Sequence, residues 1–211
     1  MSPLKKLMFS VGPYKNFSSD KKTDITGWNS TKPIFKEMIK LNKPKIIIEI
    51  GSWKGASAIH MAGIIKELKL DTKIICIDTW LGSDEHWYYL DRLEHSDLRL
   101  NHGYPQLYYT FLNNIIKSGH SDIIIPLAQT STNAYKILKH FGIKAEVIYI
   151  DGSHNEIDVY NDISNYSELL TGKKCMFGDD YNLLGVNNAV TRYATKYKKK
   201  FYGKLFWSIT G

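Results

Sequence analysis

Carboxylate side chains stand at the ends of four apolar segments, and they are the residues whose types and spacing point most directly to chemistry. They are Glu49, Asp78, Asp151 and the adjacent pair Asp179 and Asp180. If the apolar segments form parallel strands, their carboxyl ends lie on one rim of a sheet, where ligands bind in open α/β folds. We therefore expect the five carboxylates to share one cleft.

Three of these carboxylates, Asp151, Asp179 and Asp180, have the chemistry of a metal site. Like charges at short range raise one another's pKa, and a divalent cation removes this repulsion. Ligands that are all oxygen favour a hard ion, so we expect Mg²⁺, with Mn²⁺ or Ca²⁺ as alternatives. An Asp-Asp pair by itself is more often part of a turn, and the metal assignment depends on Asp151 lying on the same rim.

His154 follows Asp151 by three residues and is the candidate general base. An imidazole titrates near neutral pH and can accept a proton from a hydroxyl whose pKa a metal has lowered. A histidine after a strand is usually a helix cap or a surface residue, so its closeness to Asp151 is what favours this role. We predict that Asp151 and His154 are the catalytic residues.

A glycine turn after the first apolar segment predicts a cofactor site. Residues 45–50 include four isoleucines without alternation, which is typical of a strand buried on both faces. The turn from Gly51 to Gly55 leads into a helix, whose free N–H groups allow a ligand to approach the backbone. Glu49 beside the turn would repel a phosphate and attract a cation, which favours a sulfonium cofactor over a dinucleotide. The alternative is a structural turn with a surface glutamate.

Two further segments complete the predicted cofactor site. Asp78 lies 27 residues after Gly51, where a βαβ unit commonly places an acid against ribose hydroxyls. Residues 129–131 follow the third predicted strand and are placed to contact an adenine ring. Trp28, in a predicted turn, is expected to close this side of the cleft. The alternative role for Asp78 is that of a turn residue or a helix cap.

Strand and helix patterns alternate along the chain and predict the fold class. Segments typical of strands lie at about 45–50, 73–78, 122–127, 146–151, 174–180, 200–203 and 205–210. Segments typical of helices lie at about 31–41, 56–69, 105–118, 133–140, 156–170 and 186–197. We therefore predict an α/β fold, with a doubly wound, Rossmann-like, seven-stranded and mostly parallel sheet and helices on both faces.

The 211 residues are predicted to form a single domain with two less regular segments. Residues 1–24 lack periodicity and are expected to form an irregular arm. Residues 81–105 follow the second strand and are rich in aromatic and acidic side chains, so we expect a lid over the substrate. The residues expected to stack on the substrate are Trp87, Tyr88, Tyr89 and Tyr104.

Composition limits the function classes. No apolar run approaches 18 residues and no secretion signal is recognisable, so we expect a cytoplasmic protein without a membrane span. Cys76 and Cys175 lie in predicted buried strands and are expected to be free thiols. The net charge of +7 raises nucleic acid as a partner, but the basic residues are spread along the chain and do not favour it. The sequence leaves open the oligomeric state and whether the chain is a domain of a longer protein.

The succession of four motifs resembles the class I S-adenosylmethionine-dependent methyltransferases. The motifs are EIGSWKGAS at 49–57, IDTW at 77–80, IDGSH at 150–154 and FGDDY at 177–181. Within that class the chain is most similar to the metal-dependent sugar O-methyltransferases of macrolide tailoring, of the macrocin and mycinamicin type, and to the related cephalosporin hydroxylase group. The resemblance spans about residues 25–185. Trp53 departs from it, because the broader class has a glycine at that position.

The resemblance implies a cofactor, a metal and a reaction. Gly51, Ser52 and Asp78 would bind S-adenosylmethionine, the three rim aspartates would bind Mg²⁺, and His154 would be the base for methyl transfer to a sugar or glycan hydroxyl. The full set of predicted cofactor residues is Trp28, Glu49, Gly51, Ser52, Gly55, Ser57, Asp78, Thr79, Gln129, Thr130 and Ser131. The alternatives are a catechol-like acceptor and, with less support, a nucleic-acid methyltransferase or binding module. An NAD-dependent oxidoreductase fits the sheet, but the turn has no Gly-x-Gly-x-x-Gly.

Overall fold

The fold is built on a sheet whose central strand is the isoleucine-rich segment. In the computed structural model the described residues are 3–88, 91 and 93–210, and they contain a sheet of seven strands. The strands are β1 (Ile46–Ile50), β2 (Lys73–Asp78), β3 (Ile124–Ala128), β4 (Ala145–Ile150), β5 (Leu170–Gly178), β6 (Lys200–Gly203) and β7 (Trp207–Thr210). Their spatial order is β3-β2-β1-β4-β5-β7-β6; the first five run parallel, and β7 is antiparallel to both of its neighbours. The predicted doubly wound, mostly parallel sheet is confirmed.

Helices cover both faces of the sheet. The helices in the described residues are α1 (Pro3–Met8), α2 (Ile34–Asn42), α3 (Ala56–Glu67), α4 (Asp84–Tyr88), α5 (Leu93–Asp97), α6 (Leu107–Lys117), α7 (Ser131–His140), α8 (Glu156–Ser167) and α9 (Leu184–Tyr197). Helices α2, α3 and α6 pack against one face, and α7, α8 and α9 pack against the other. The sheet therefore separates two hydrophobic cores, as strands that are apolar on both faces require.

Strand β1 contributes side chains to both cores, because successive side chains of a strand point to opposite faces. Ile47 lies in one core and Ile48 in the other, and both are fully buried. Each such burial contributes roughly 1.5–3 kcal/mol relative to an exposed side chain. Strand β2 lies on one side of β1 and β4 on the other, so the direction in which the chain adds strands reverses at β1. Open sheets bind ligands at such a reversal, beyond the carboxyl ends of the strands.

The predicted irregular arm contains one short helix that the sequence analysis missed. Helix α1 carries Leu4 and Met8 one helical turn apart, and both pack against a core of the sheet. Lys5 of the same helix donates from Nζ to the Ser121 carbonyl at 2.5 Å. A helix this short is not stable by itself, so packing against the sheet decides its conformation. Residues 9–24 contain no helix or strand.

The predicted lid segment, residues 81–105, contains α4, α5 and a bridge between Asn101 and Tyr104. Leu98 is fully buried in the core on the α3 side and anchors the segment there. Tyr89, one of the residues expected to contact the substrate, lies outside the described residues.

Among the described residues, no helix has the length and apolar character needed to cross a membrane. Cys76 and Cys175 are both free and buried.

Candidate active site

A cleft of about 970 Å³ lies beyond the carboxyl ends of the parallel strands. This volume is near the upper limit of small-molecule sites, which span about 300–1,000 Å³. Four of the five carboxylates predicted to converge line this cleft: Asp78, Asp151, Asp179 and Asp180. The sheet thus brings together side chains that are up to about 100 positions apart in the sequence.

Glu49 is the exception, because it is fully buried behind the glycine turn and does not line the cleft. Its Oε2 accepts hydrogen bonds from Ser52 Oγ at 2.6 Å and Cys76 Sγ at 3.2 Å, and its Oε1 accepts from Ser57 Oγ at 2.6 Å. Burial raises the pKa of Glu49, and these three donors partly offset the rise. Strand alternation places Glu49 on the same face as Ile47, beneath α3, so the structure does not place it against a ligand as we expected.

Gly51 and Gly55 both shape the turn, but only Gly51 lines the cleft. Gly51 has a φ of 81°, and a Cβ there would lie 1.9 Å from the carbonyl oxygen of Asp151. Glycine therefore allows the ends of β1 and β4 to meet. Gly55 has a φ of 89° at the N-cap of α3, and a Cβ there would lie 3.1 Å from Phe111. In the structure Gly55 meets a backbone requirement of the helix start and does not line the cleft, and its contact with a cofactor stays a prediction.

Asp78 lines the cleft at the end of β2, and backbone donors orient its carboxylate. Its Oδ2 accepts from the N–H groups of Ser52 at 3.0 Å and Trp53 at 2.8 Å, and its Oδ1 accepts from the N–H of Trp80 at 2.7 Å. Burial raises the pKa of Asp78, and these hydrogen bonds partly offset the rise. The carboxylate has about four acceptor sites and these donors use three of them, so Asp78 can also accept from a ligand hydroxyl at Oδ1.

The remaining predicted cofactor residues line the same cleft. They are Trp28, Ser52, Ser57, Thr79, Gln129, Thr130 and Ser131. Thr130 is in addition the N-cap of α7, and its Oγ1 accepts from the N–H of Asn133 at 3.2 Å. Trp28 is 62% exposed, and its ring centroid lies 6.4 Å from that of Trp53. The turn after β1, the end of β2 and the N-terminus of α7 therefore form one continuous wall.

Asp151 follows β4 and lies across the cleft opening from Asp78, with β1 between them. Tyr149 donates from its hydroxyl to Asp151 Oδ2 at 2.7 Å. Burial raises the pKa of the Asp151 carboxyl to about 8; the Tyr149 hydrogen bond lowers it, and the charges of Asp179 and Asp180 raise it again. In this arrangement Asp151 is largely protonated at neutral pH.

His154 contacts two carboxylates. Its Nε2 lies 3.1 Å from Asp180 Oδ2, and its Nδ1 lies 3.6 Å from Glu85 Oε2. The hydrogen bond to Asp180 raises the pKa of His154 to about 9, although partial burial opposes the rise. The imidazole is therefore protonated at neutral pH in this arrangement, and it cannot accept a proton until Asp180 moves away.

The three rim aspartates have the oxygen ligands that a hard divalent cation prefers. In this structure, however, two of them are hydrogen-bonded to other side chains. Burial is the main cause of the raised pKa of Asp151 and of Asp179, and the charges of neighbouring carboxylates raise both values further. A cation would relieve the repulsion between these carboxylates. Asp151 accepts from Tyr149, and Asp180 pairs with His154. Within the described part of the chain, no group of three or more His, Cys, Asp or Glu side chains is arranged to hold a metal. Binding a cation would thus require side-chain reorientation, above all of Asp180.

Helix α8 contributes polar residues to the cleft that the sequence analysis missed. They are Asp158, Asn161 and Asp162. Asp162 is only 4% exposed, and burial raises its pKa to about 7. A signal was available in the sequence, because Asp158, Asn161 and Asp162 lie at positions i, i+3 and i+4, which is the spacing of one helix face.

Residues 82–86 form another wall of the cleft. His86 stacks on Trp53 with ring centroids 4.5 Å apart, so this segment lies against the glycine turn. The described aromatic residues that we expected to contact the substrate do not line the cleft; they are Trp87, Tyr88 and Tyr104. The side chains that the segment presents to the cleft are mainly polar, because the short helix α4 turns its aromatic residues elsewhere.

The cleft is strongly acidic, although the protein carries a net charge of +7. None of the described residues that line it is Lys or Arg, and eight carry a carboxyl group: Asp78, Asp84, Glu85, Asp151, Asp158, Asp162, Asp179 and Asp180. A cleft in which groups of one sign of charge predominate concentrates ligands of the opposite sign. A sulfonium cofactor and a metal cation suit this field, whereas a nucleic-acid backbone or a dinucleotide pyrophosphate does not.

Comparison with known proteins identifies a domain family. Residues 48–181 match the family model described as a methyltransferase domain. A search of curated proteins found no match.

Solved structures with the same fold include several methyltransferases. An O-methyltransferase from Bacillus cereus, solved with SAH, has a TM-score of 0.58 and 11% identity, over 90% of this chain and 84% of that chain. TomG from Streptomyces achromogenes, an O-methyltransferase involved in tomaymycin synthesis and solved with SAM, has a TM-score of 0.60 and 11% identity, over 89% and 82%. CalS11, a calicheamicin methyltransferase, has a TM-score of 0.59 and 12% identity, over 84% and 76%. At these identities the similarity establishes the fold.

Proposed function

Because the chain belongs to the methyltransferase domain family, we propose that it is an S-adenosylmethionine-dependent O-methyltransferase that acts on a sugar hydroxyl, with a divalent cation and His154 as the base. The observation that carries the proposal is a single acidic cleft with two different halves. The cofactor half comprises the turn that begins at Gly51 and the carboxylate of Asp78. The acidic half comprises Asp151, Asp179, Asp180 and His154.

The residues of the cofactor half suit S-adenosylmethionine, which would supply a methyl group on a positively charged sulfur. Asp78 is oriented by three N–H groups and can accept from ribose hydroxyls. Residues 129–131 line the cleft beyond β3, where an adenine ring can lie. Two of the structures with the same fold were solved with SAM or SAH, which supports this cofactor.

The residues of the acidic half suit proton removal from the acceptor. When bound, a divalent cation would lower the pKa of an acceptor hydroxyl. Asp151, Asp179 and Asp180 are the residues that would hold it. When Asp180 turns from His154 to this role, the imidazole loses the partner that keeps it protonated, and Nε2 becomes free to accept a proton.

Methyl transfer then depends mainly on the alignment of the acceptor oxygen with the methyl group. His154 Nε2 takes the hydroxyl proton, the acceptor oxygen forms a bond to the methyl carbon, and the C–S bond breaks with its electron pair leaving on sulfur. Holding the two reactants in line can contribute on the order of 7 to 11 kcal/mol of the barrier reduction. The sugar as acceptor is supported by the resemblance of the IDGSH and FGDDY motifs to those of sugar O-methyltransferases.

Two measurements test the proposal. Isothermal titration of the purified protein with S-adenosylhomocysteine and with NAD, each with and without Mg²⁺, tests the cofactor; we expect binding of S-adenosylhomocysteine only. Methyl transfer from S-adenosylmethionine to rhamnose-type glycans and to catechols, with Mg²⁺ or with a chelator, tests the acceptor and the cation. Tight NAD binding would refute the assignment of S-adenosylmethionine as the cofactor. Turnover of catechols alone would refute a sugar acceptor, and full activity in the presence of chelator would refute a role for a divalent cation.

A further inference from the structure

Lys54, in the middle of the glycine turn, is a buried cation that joins three distant parts of the chain. Its side chain is 1% exposed, and its Nζ lies 2.9 Å from Asp24 Oδ2 and 2.8 Å from Asp97 Oδ1. Asp24 ends the N-terminal arm, and Asp97 ends α5 in the segment 81–105. The turn, the arm and the inserted segment therefore meet at one ammonium group that does not line the cleft.

The surrounding hydrogen bonds make this junction specific. Asn114 of α6 is fully buried and donates from Nδ2 to the carbonyl oxygens of Asp24 at 2.8 Å and Lys54 at 2.9 Å. The N–H of Asp24 donates back to Asn114 Oδ1 at 2.9 Å. Arg99 donates from Nη2 to Asp24 Oδ2 at 2.8 Å. Asp24 is thus held by two cations and one buried amide.

Each segment held by Lys54 is connected to a wall of the cleft. Residues 26–30 begin two positions after Asp24 and line the cleft. Residues 82–86 line it as well, and they are tied to the helix that carries Asp97, because His95 Nδ1 lies 2.9 Å from the carbonyl oxygen of His86. Releasing Lys54 would therefore loosen two walls without altering any residue that lines the cleft.

A buried ion pair is not an efficient source of stability, because the loss of hydration of both charges offsets most of their attraction. Buried charges of this kind can instead select one arrangement among several, since a displaced partner leaves an unpaired charge. Lys54 follows Trp53 in the chain. The ring of Trp53 stacks on His86, and the backbone N–H of Trp53 donates a hydrogen bond to Asp78. The position is one from which docking of the arm and the insertion can be transmitted to the cofactor half.

We propose that Lys54 is a positioning residue: through Asp24 and Asp97 it docks residues 26–30 and 82–86 onto the glycine turn and so closes the cofactor half around its ligand. This inference rests on the proposed function, because it assigns the closed walls to binding of S-adenosylmethionine. Lys54 itself contacts neither the ligand nor the reacting atoms.

Asp97→Asn is the informative variant, because Lys54 keeps its pairing with Asp24 and the fold is expected to persist. We expect the Kd for S-adenosylhomocysteine and the KM for S-adenosylmethionine to rise roughly tenfold, a change of about 1.4 kcal/mol, while kcat at saturating cofactor stays within about twofold. Asp97→Glu keeps the charge and should recover most of the affinity. Lys36→Met removes an exposed pair with Glu67, at 2.6 Å, and should change neither constant.

Hydrogen exchange distinguishes positioning from a purely structural role. In the wild type we expect S-adenosylhomocysteine to slow amide exchange in residues 26–30 and 82–86; Asp97→Asn should lose that protection in 82–86, and Asp24→Asn should lose it in 26–30. If Asp97→Asn lowers the melting temperature but binds S-adenosylhomocysteine as tightly as the wild type, the inference is wrong and the proposed function stands. If the wild type binds no S-adenosylhomocysteine, the proposed function itself fails.

Discussion

In the cofactor half of the cleft the supporting carboxylates are surrounded by donors, whereas in the acidic half they face one another. Glu49 and Asp78 each accept three hydrogen bonds, from the glycine turn, the start of α3, strand β2 and the loop that follows it. Asp151 accepts one described protein hydrogen bond, from Tyr149, and its neighbours Asp179 and Asp180 are also acids. The cofactor half is therefore preformed, and the acidic half carries repulsion that a cation would relieve.

The difference indicates that a buried carboxylate can have opposite effects on stability in two parts of one fold. Where donors converge, the carboxylate fixes the backbone around it and its replacement should loosen the structure. Where acids converge, the carboxylate destabilises the empty fold and its replacement should tighten it while removing function. Substitutions in the two halves test this contrast.

The largest effect is expected from His154→Ala in the acidic half. Loss of a general base commonly costs on the order of 10²- to 10⁴-fold in rate, so we expect kcat to fall by that amount. The Kd for S-adenosylhomocysteine should stay within about twofold of the wild-type value, because His154 is not in the cofactor half. Steady-state kinetics and calorimetry on the same preparations check both, with the exposed His140→Ala as the control. Retained activity would remove His154 from the mechanism.

A second effect is expected on the protonation of His154. With divalent cations removed by a chelator, its pKa should be raised to about 9 by Asp180, and Asp180→Asn should return it towards the ordinary value of about 6.5. Mg²⁺ added to the wild type should lower it in the same direction, since Asp180 would then turn away. An NMR titration of the imidazole measures the pKa. An unchanged pKa in Asp180→Asn would show that the two side chains do not pair in solution.

Glu49→Gln should destabilise the protein. The amide has one acceptor oxygen where the carboxylate has two, so at least one of the serine donors, Ser52 or Ser57, loses its acceptor. A buried donor left without a partner costs about 1–3 kcal/mol, and we expect the free energy of unfolding in urea to fall by that amount. The affinity for S-adenosylhomocysteine should also fall, because the turn is less well fixed. Unchanged unfolding would mean that the carboxylate contributes nothing to the turn.

Asp151→Asn should have the opposite effect on stability. The folded-state pKa of Asp151 is raised to about 8, whereas an unfolded Asp titrates near 4. Its contribution to stability is therefore fully present below about pH 4 and is lost as the pH rises through 8. In a chelator, the wild type should lose stability relative to Asp151→Asn between those pH values, and the variant should have the higher melting temperature at pH 8 and no activity. Parallel pH profiles of the two proteins would refute this account.

The smallest effect is expected at Tyr104. This residue was predicted to stack on the substrate, but it is 61% exposed and does not line the cleft. Tyr104→Ala should change kcat and the KM values by less than about twofold, in line with the usual small effects of surface substitutions. A larger loss would show that the segment 81–105 adopts another arrangement when the acceptor binds.

Much of the fold was predictable because it depends on patterns that extend over whole elements. The run of isoleucines in β1 requires cover on both faces, and the alternation of strands and helices then favours a parallel doubly wound sheet. Helix α1 was missed, because its conformation depends on tertiary packing against the sheet, which a six-residue segment does not reveal in its sequence. The acids at the strand ends were found for the same reason as the strands, and Asp158 and Asp162 were missed because they lie inside a helix and not at the end of a strand.

The sequence by itself determined which chemical groups stand at the strand ends, because strand direction puts those ends on one rim whatever the details of packing. The tertiary structure decided how each group is used. It buried Glu49 beneath α3, where it does not line the cleft, since side chains alternate along β1. It also set the protonation of Asp151 and His154, because a pKa depends on burial and on neighbours brought together from remote parts of the chain.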